Sequence, residues 1–279
     1  MRRADAARLV LLAAIWGASF LFTRITAPAI GPVATADLRL LIAAAALVAY
    51  YALIGFDAQW RRWWALYLVI GLLNSAAPFL LFGYAALTLS AGLLAVLNAT
   101  SPMFGALLST LVLRERLSPR RALGLLIGVA GVALVSTPEG SARWLAVAAG
   151  LAAAFCYALT GVVLRRWANS ASARGMAVGT QLAGGLVILP FLVVAPPAAF
   201  TPGIVAALAA LGLVCGAFAY ILYFRLIADI GATGALTVTY LIPLFGVIWG
   251  ALFLGEALTA PMVIGALVVV GGTALVLRG

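Results

Sequence analysis

The chain has 279 residues, 66% of them apolar and 9% charged, with a mean hydropathy of +1.21, which excludes a soluble globular domain and indicates an integral membrane protein. Its formal net charge of +10 comes from 17 arginines against seven acids, with no histidine. Those arginines cluster at the ends of apolar runs, so they fit membrane orientation better than a nucleic-acid partner.

A spanning segment needs about 20 mostly apolar residues and must satisfy its backbone internally, so the runs read as α-helices. Taken in order, the predicted helices cover 8–27, 34–54, 62–87, 90–113, 120–137, 142–164, 175–195, 202–226, 233–254 and 261–277. The first follows Arg2, Arg3 and Arg8 as a signal peptide would, but it has no small-residue cleavage site and takes part in an internal repeat, so it reads as a retained helix. Ser118-Pro119 and Thr259-Ala260-Pro261 place a capping hydroxyl ahead of a proline in a first helical turn. Pro28, Pro32, Pro138, Pro196, Pro197 and Pro202 fall at or near loops. Cys156 and Cys215 lie within apolar runs and read as small core residues, with neither a disulfide nor a metal site indicated.

Counting arginines on alternate sides of ten spans puts fourteen on the side of the N-terminus and three, Arg24, Arg39 and Arg143, on the other. Both termini are therefore expected in the cytoplasm.

The stretch 97–119 has a proline at 102, a glycine at 105, Glu115 and Leu117, and the same skeleton returns as Pro243, Gly246, Glu256 and Leu258. The offset is constant, since 243 − 102, 246 − 105, 256 − 115 and 258 − 117 all equal 141. Residues 13–24 fall over 154–165 by the same shift, and Gly124 and Gly131 fall over Gly265 and Gly272. The chain therefore divides into two repeats, 1–138 and 139–279, of five helices each. An odd number of helices per repeat inverts the second half in the membrane, an arrangement common among secondary transporters. Small residues such as Gly124 and Gly128 let helices 5 and 10 pack closely, either within one chain or between two.

Trp16-Gly17-Ala18-Ser19-Phe20 in the first helix, Asp37-Leu38-Arg39 opening the second, and the paired Glu115-Arg116-Leu117-Ser118 and Gly255-Glu256-Ala257-Leu258-Thr259 together resemble the EamA family of the drug/metabolite transporter superfamily, over essentially the whole chain. That resemblance implies an all-α basket of ten transmembrane helices as two inverted five-helix repeats around a central cavity. Helices 1, 3, 4, 6, 8 and 9 would line the cavity, with helices 5 and 10 at the rear. It also implies transport of small metabolites, often export of amino acids, across a bacterial inner membrane.

The seven acids, Asp5, Asp37, Asp57, Glu115, Glu139, Asp229 and Glu256, read as loop or helix-end residues, and no arginine reads as clearly central. Without an embedded acid, proton-coupled cation export is disfavoured, and without a deep basic residue so is carriage of phosphate esters. What remains at depth is neutral. Leu94, Asn98, Ser101 and Gly105 share one face of helix 4, and Thr239 is the repeat mate of Asn98. Pro102 and Pro243 each remove a mid-span hydrogen bond, so they are candidate hinges. Trp16, Ser19, Asn74, Pro78, Tyr157, Thr160, Tyr220 and Tyr240 complete a candidate cavity of aromatic rings, amides and hydroxyls. Such walls suit amino acids or comparable neutral and zwitterionic metabolites.

Each candidate also has a structural alternative. Hydroxyls in membrane helices often bond a carbonyl four residues back, and Asn74 or Asn98 can serve an interhelical hydrogen bond. Trp63, Trp64, Trp144 and Trp167 suit the interfacial belt, whereas Glu115 and Glu256 read as caps or gate pairs. The sequence thus describes a facilitative alternating-access uniporter, with a proton-coupled exporter of drugs or of other metabolites such as purines as the alternative. An intramembrane enzyme lacks histidine, an embedded acid pair and a nucleophile with a base. An ion channel lacks a filter or charge ring. No cofactor is expected; the partners are a small-molecule substrate and the lipid bilayer, with the oligomeric state open and a monomer compatible.

Overall fold

The computed structural model describes residues 2–136, 141–167, 171–198 and 200–278, with the side chains of Trp167, Ala232, Thr233 and Arg278 left out. Pro138, Glu139, the 138/139 boundary between the two predicted repeats and the Trp167 side chain therefore lie outside the described residues.

The chain is all-helical among the described residues. Ten apolar helices follow one another: α1 Arg3–Ile30, α2 Pro32–Leu53, α3 Trp60–Ala85, α4 Ala91–Leu113, α5 Pro119–Val135, α6 Ser141–Trp167, α7 Ala173–Leu192, α8 Pro202–Gly231, α9 Gly234–Leu254 and α10 Ala260–Arg278. Nine are long and apolar enough to cross a membrane, and α5 has 17 residues, about 26 Å at 1.5 Å per residue. Pro28 lies inside the last turn of α1 and not in a loop, so α1 runs longer than the sequence predicts. Ser118 Oγ accepts Arg121 N–H at 3.2 Å and Thr259 Oγ1 accepts Met262 N–H at 3.4 Å, so the two hydroxyl-proline starts cap α5 and α10 as their spacing predicts.

Proline chemistry shapes the interior helices. Pro78 lacks the N–H that would bond the Asn74 carbonyl, and the turn Leu72–Ala76 widens to a π-helix just before it. In the other half the wide turn spans Ala210–Phe218, and 213 − 72 and 217 − 76 both equal 141, so the two widenings coincide in the repeat. Pro102 frees the Asn98 carbonyl in the same way, and α4 breaks between Asn98 and Ser101. The ends of α4 and α9 also match. Arg114 at φ 58° and Gly255 at φ 65° take left-handed positions 141 residues apart, and Glu115 N–H and Glu256 N–H reach back to the carbonyls of Ser109 and Gly250 at 3.2 and 3.1 Å.

Helices α5 and α10 pack against each other inside one chain. A Cβ on Gly124 would come 2.7 Å from the Gly272 carbonyl, and a Cβ on Gly272 would come 2.7 Å from the Gly124 carbonyl. The α1–α9 contact has a counterpart between α6 and α4, where Phe104 packs in one cluster with Ala158, mate of Gly17. Gly17 of α1 lies against Phe245 and Gly246 of α9, while in the other half Phe155 of α6 meets Phe104 of α4 edge to face at 5.7 Å.

Candidate functional site

The interior is walled by aromatic residues from α1, α3, α6 and α8. Trp16 lies 5.2 Å from Tyr223 and 6.4 Å from Tyr220, and Tyr157 lies stacked 6.4 Å from Phe82. These are repeat mates, since 157 − 16 and 223 − 82 both equal 141. Asn74, in the widened turn of α3, donates from Nδ2 to Tyr220 Oη at 3.4 Å, a long bond that leaves its carbonyl free. Pro78 is buried behind it and keeps that turn wide. Trp16, Asn74, Phe79, Tyr157, Tyr220 and Tyr223 are each half-buried and not sealed in the core.

Two charged residues of α2 are deeper than the sequence suggests. Arg39, counted above at a helix end, is 8% exposed; its guanidinium carbon lies 3.8 Å over the Phe79 ring, within electrostatic range of Tyr157, Cys215 and Tyr220. Asp37, read above as a helix-end acid, is 0% exposed and neither carboxylate oxygen has a hydrogen-bond partner. The reason is that α2 starts at Pro32, which carries both residues inside the helix, and its neighbours cover both flanks. The two point apart, because residues i and i+2 differ by about 200° around a helix. Asp37 shares the face of Leu40 and Leu41, which packs on Gly185 of α7. The expectation of an interior without acid or deep base is therefore corrected on both counts.

The remaining candidates sit on the α4 and α9 crossing and, for Ser19 and Thr160, on α1 and α6. The Asn98 carbonyl freed by Pro102 accepts the Ser101 hydroxyl at 2.6 Å, and Thr239 donates to the Leu236 carbonyl at 2.8 Å. Thr160 donates to the Cys156 carbonyl at 3.0 Å, and buried Ser19 takes the Thr23 hydroxyl on its carbonyl at 2.7 Å. These hydroxyls thus close local backbone bonds first. Asn98, Ser101 and Pro102 are partly exposed, as are Thr239 and Tyr240, while Pro243 is buried inside α9. Free Cys215 donates to the Ile15 carbonyl at 3.3 Å, as expected of a small core residue, whereas free Cys156 is only partly buried.

The same crossing differs at its two ends. At the end away from the termini, Gly246 packs on Ala95, Gly92 on Val247, and Glu256 accepts the N–H groups of Ala91 and Gly92 at 2.8 and 3.4 Å. Arg24 also donates to the Ala86 carbonyl there at 2.9 Å. At the end carrying the termini, the mates of these residues are apart. Gly105, mate of Gly246, has nothing within 4 Å of a built Cβ, and Leu236, mate of Ala95, is 42% exposed. Glu115 and Arg165, mates of Glu256 and Arg24, instead pair with each other at 2.8 Å. An open recess of about 640 Å³ lies at this end, lined by Arg2, Asp5, Asp229, Ile230, Gly234 and Thr237. Arg8 ties α1 to α8 beside it through Asp229 at 2.6 Å.

Sequence reasoning missed Arg39, Phe79, Phe82, Tyr223 and Trp249, whose indole N–H donates to the Ala14 carbonyl at 2.9 Å. The repeat offset could have found one of them, since Phe79 is the mate of the candidate Tyr220.

The model of the EamA-like transporter family matches residues 6–137 and 144–278. An uncharacterised transporter of Bacillus subtilis, YvbV, is 26% identical over 96% of this chain and 90% of its own. A probable terminal-alkyne amino-acid exporter of Streptantibioticus cattleyicolor is 24% identical over 97% of this chain and 92% of its own. A solved structure shares the fold with a TM-score of 0.69 at 18% identity, covering 99% of this chain and 96% of its own.

Proposed function

The chain belongs to the EamA-like transporter family, and we propose that it exports amino acids or similar small zwitterionic metabolites by alternating access. The observation that carries this reading is the crossing of α4 and α9. One interface, repeated by sequence, is closed at one end through Glu256, Gly246 and Gly92 and left apart at the other around Gly105 and Glu115. Two repeats that can each make a contact, with only one making it, are the static signature of two exchangeable states. Pro102 and Pro243 lie beside the parted segments and serve as the hinges. The excess of arginines at the end carrying the termini supports a cytoplasmic location for the open end and both termini. Export is the direction suggested by the name of the Streptantibioticus relative.

Uniport is the simplest mode, because Asp37 faces α7 and not the aromatic interior. Proton coupling is the second reading, favoured by one observation: a fully buried carboxylate without a partner is costly in a membrane and usually marks an ion pathway.

The test is uptake of radiolabelled amino acids into liposomes holding the purified protein, with and without a pH gradient. Saturable uptake that is indifferent to the gradient and falls at least ten-fold in Trp16→Ala or Asn98→Ala is the expected result. Uptake of no amino acid, or uptake only with proton flow, overturns the substrate class or the uniport mode respectively.

A further inference from the structure

We infer that Arg39 is the substrate's anion anchor: its guanidinium receives a single carboxylate inside the bundle, so the transported molecules carry one. This rests on the transporter reading above and deepens it.

Arg39 is more than nine-tenths buried, and among the described residues no carboxylate pairs with it and no acceptor takes a hydrogen bond from it. Asp37, two residues away, points to α7. An unpaired guanidinium within a membrane bundle is expensive, and an apolar side chain would fill the same volume without that cost. A purely structural role is therefore a poor account of it.

The geometry fits a carboxylate. The guanidinium carbon lies 3.8 Å over the Phe79 ring, a cation–π contact that leaves the N–H donors of the guanidinium plane unused. The N–H donors lie in that plane, where a carboxylate can be gripped by two parallel bonds. Tyr157 and Tyr220 lie within electrostatic range of the group, and Asn74 Oδ1 with the Tyr220 hydroxyl offers neutral acceptors for an ammonium. The partly exposed rings of Trp16 and Tyr223 supply an apolar wall for the rest of the molecule.

Repeat symmetry points the same way. Structural features here come in pairs 141 residues apart: the wide turns, the left-handed helix ends, the aromatic contacts. The mate of Arg39 is Thr180, since 180 − 39 equals 141, so the charge is present once. The mate of Asp37, Val178, is likewise uncharged, so among the described residues the buried interior offers a substrate a single cation, Arg39. A single cation balances a carboxylate; a doubly charged phosphate ester would stay half unmatched.

The experiment uses liposomes with full-length protein and four probe classes: neutral amino acids with their carboxamides, aromatic carboxylates with their carboxamides, sugar phosphates, and purines. For wild type, uptake of acids over matched amides is expected, by at least ten-fold in kcat/KM. Arg39→Gln should abolish that preference by raising KM for the acids at least ten-fold while amide uptake changes less than two-fold. Arg39→Lys, which keeps a charge without the planar fork, should fall between. Phe79→Leu leaves the charge in place and checks the orientation if Arg39→Gln fails to fold. It should raise KM for acids by a larger factor than for the matched amides. Equal uptake of acid and amide by wild type, preference for sugar phosphates, or unchanged acid preference in the variants overturns the anchor. Uptake of purines alone overturns the anchor and leaves the transporter reading standing. Uptake of none of the four classes removes both.

Discussion

Glu115 Oε1 lies 2.8 Å from Arg165 Nη1, although the repeat mates of these two residues, Glu256 and Arg24, do not pair but hold the ends of α4 and α3. The exchange of states should swap these roles. When the α4 and α9 crossing closes at the terminal end, Glu115 moves to the start of α9 and Arg165 to the carbonyl of Ile227, mate of Ala86, while Glu256 and Arg24 become the pair. A cysteine pair at 24 and 256 should therefore crosslink only in the state opposite to this one, and crosslinking should stop uptake reversibly. Full uptake with the crosslink in place sinks the exchange. Both Glu115 and Arg165 are substantially exposed, at 41% and 61% of their side chains, so Glu115→Gln should cost about 1 kcal/mol or less in stability.

Asp37 separates the two driving modes. Replacing its unpartnered buried carboxylate with an amide of the same shape removes a potential charge and leaves the packing, so Asp37→Asn should keep or raise Tm in detergent. Under the uniport reading, its uptake should respond to an imposed pH gradient as wild type does. Gradient-driven uptake in wild type that disappears in Asp37→Asn would establish coupling through this residue.

Helices α5 and α10 meet backbone to backbone at Gly124 and Gly272, where a methyl group would stand 2.7 Å from the opposite carbonyl. Gly124→Ala should lower stability by about 1–3 kcal/mol, the usual cost of overpacking, read as a drop in Tm. KM in the folded fraction should not change, because no aromatic wall residue lies on either helix. A raised KM at unchanged Tm would contradict the assignment of this pair to the frame.

Arg114 holds the left-handed conformation at the end of α4 that Gly255 holds at the end of α9, at φ 58° and 65°. A side chain there costs about 1 kcal/mol that glycine does not. Arg114→Gly should raise stability and Gly255→Ala should lower it by similar amounts in thermal unfolding. Opposite signs would mean that the Arg114 side chain makes a contact that outweighs its backbone strain.

The sequence alone determined the class, the count of helices and the two-fold repeat, because apolar length and a constant offset are local or one-dimensional properties. It also marked the proline break at Pro102 and both capped starts, since a missing N–H and a side-chain acceptor act within four residues of themselves. The depth of Arg39 and Asp37 was not legible: a residue six or eight places past the loop residue Gly31 is an end residue or an interior one depending on which neighbours cover it. Tyr223 and Phe82 were likewise indistinct from any other aromatic in an apolar run until α1 and α6 came to face them. Which copy of the duplicated crossing is closed is a matter of tertiary structure alone, because the sequence writes the same contact twice and only packing decides which one is made.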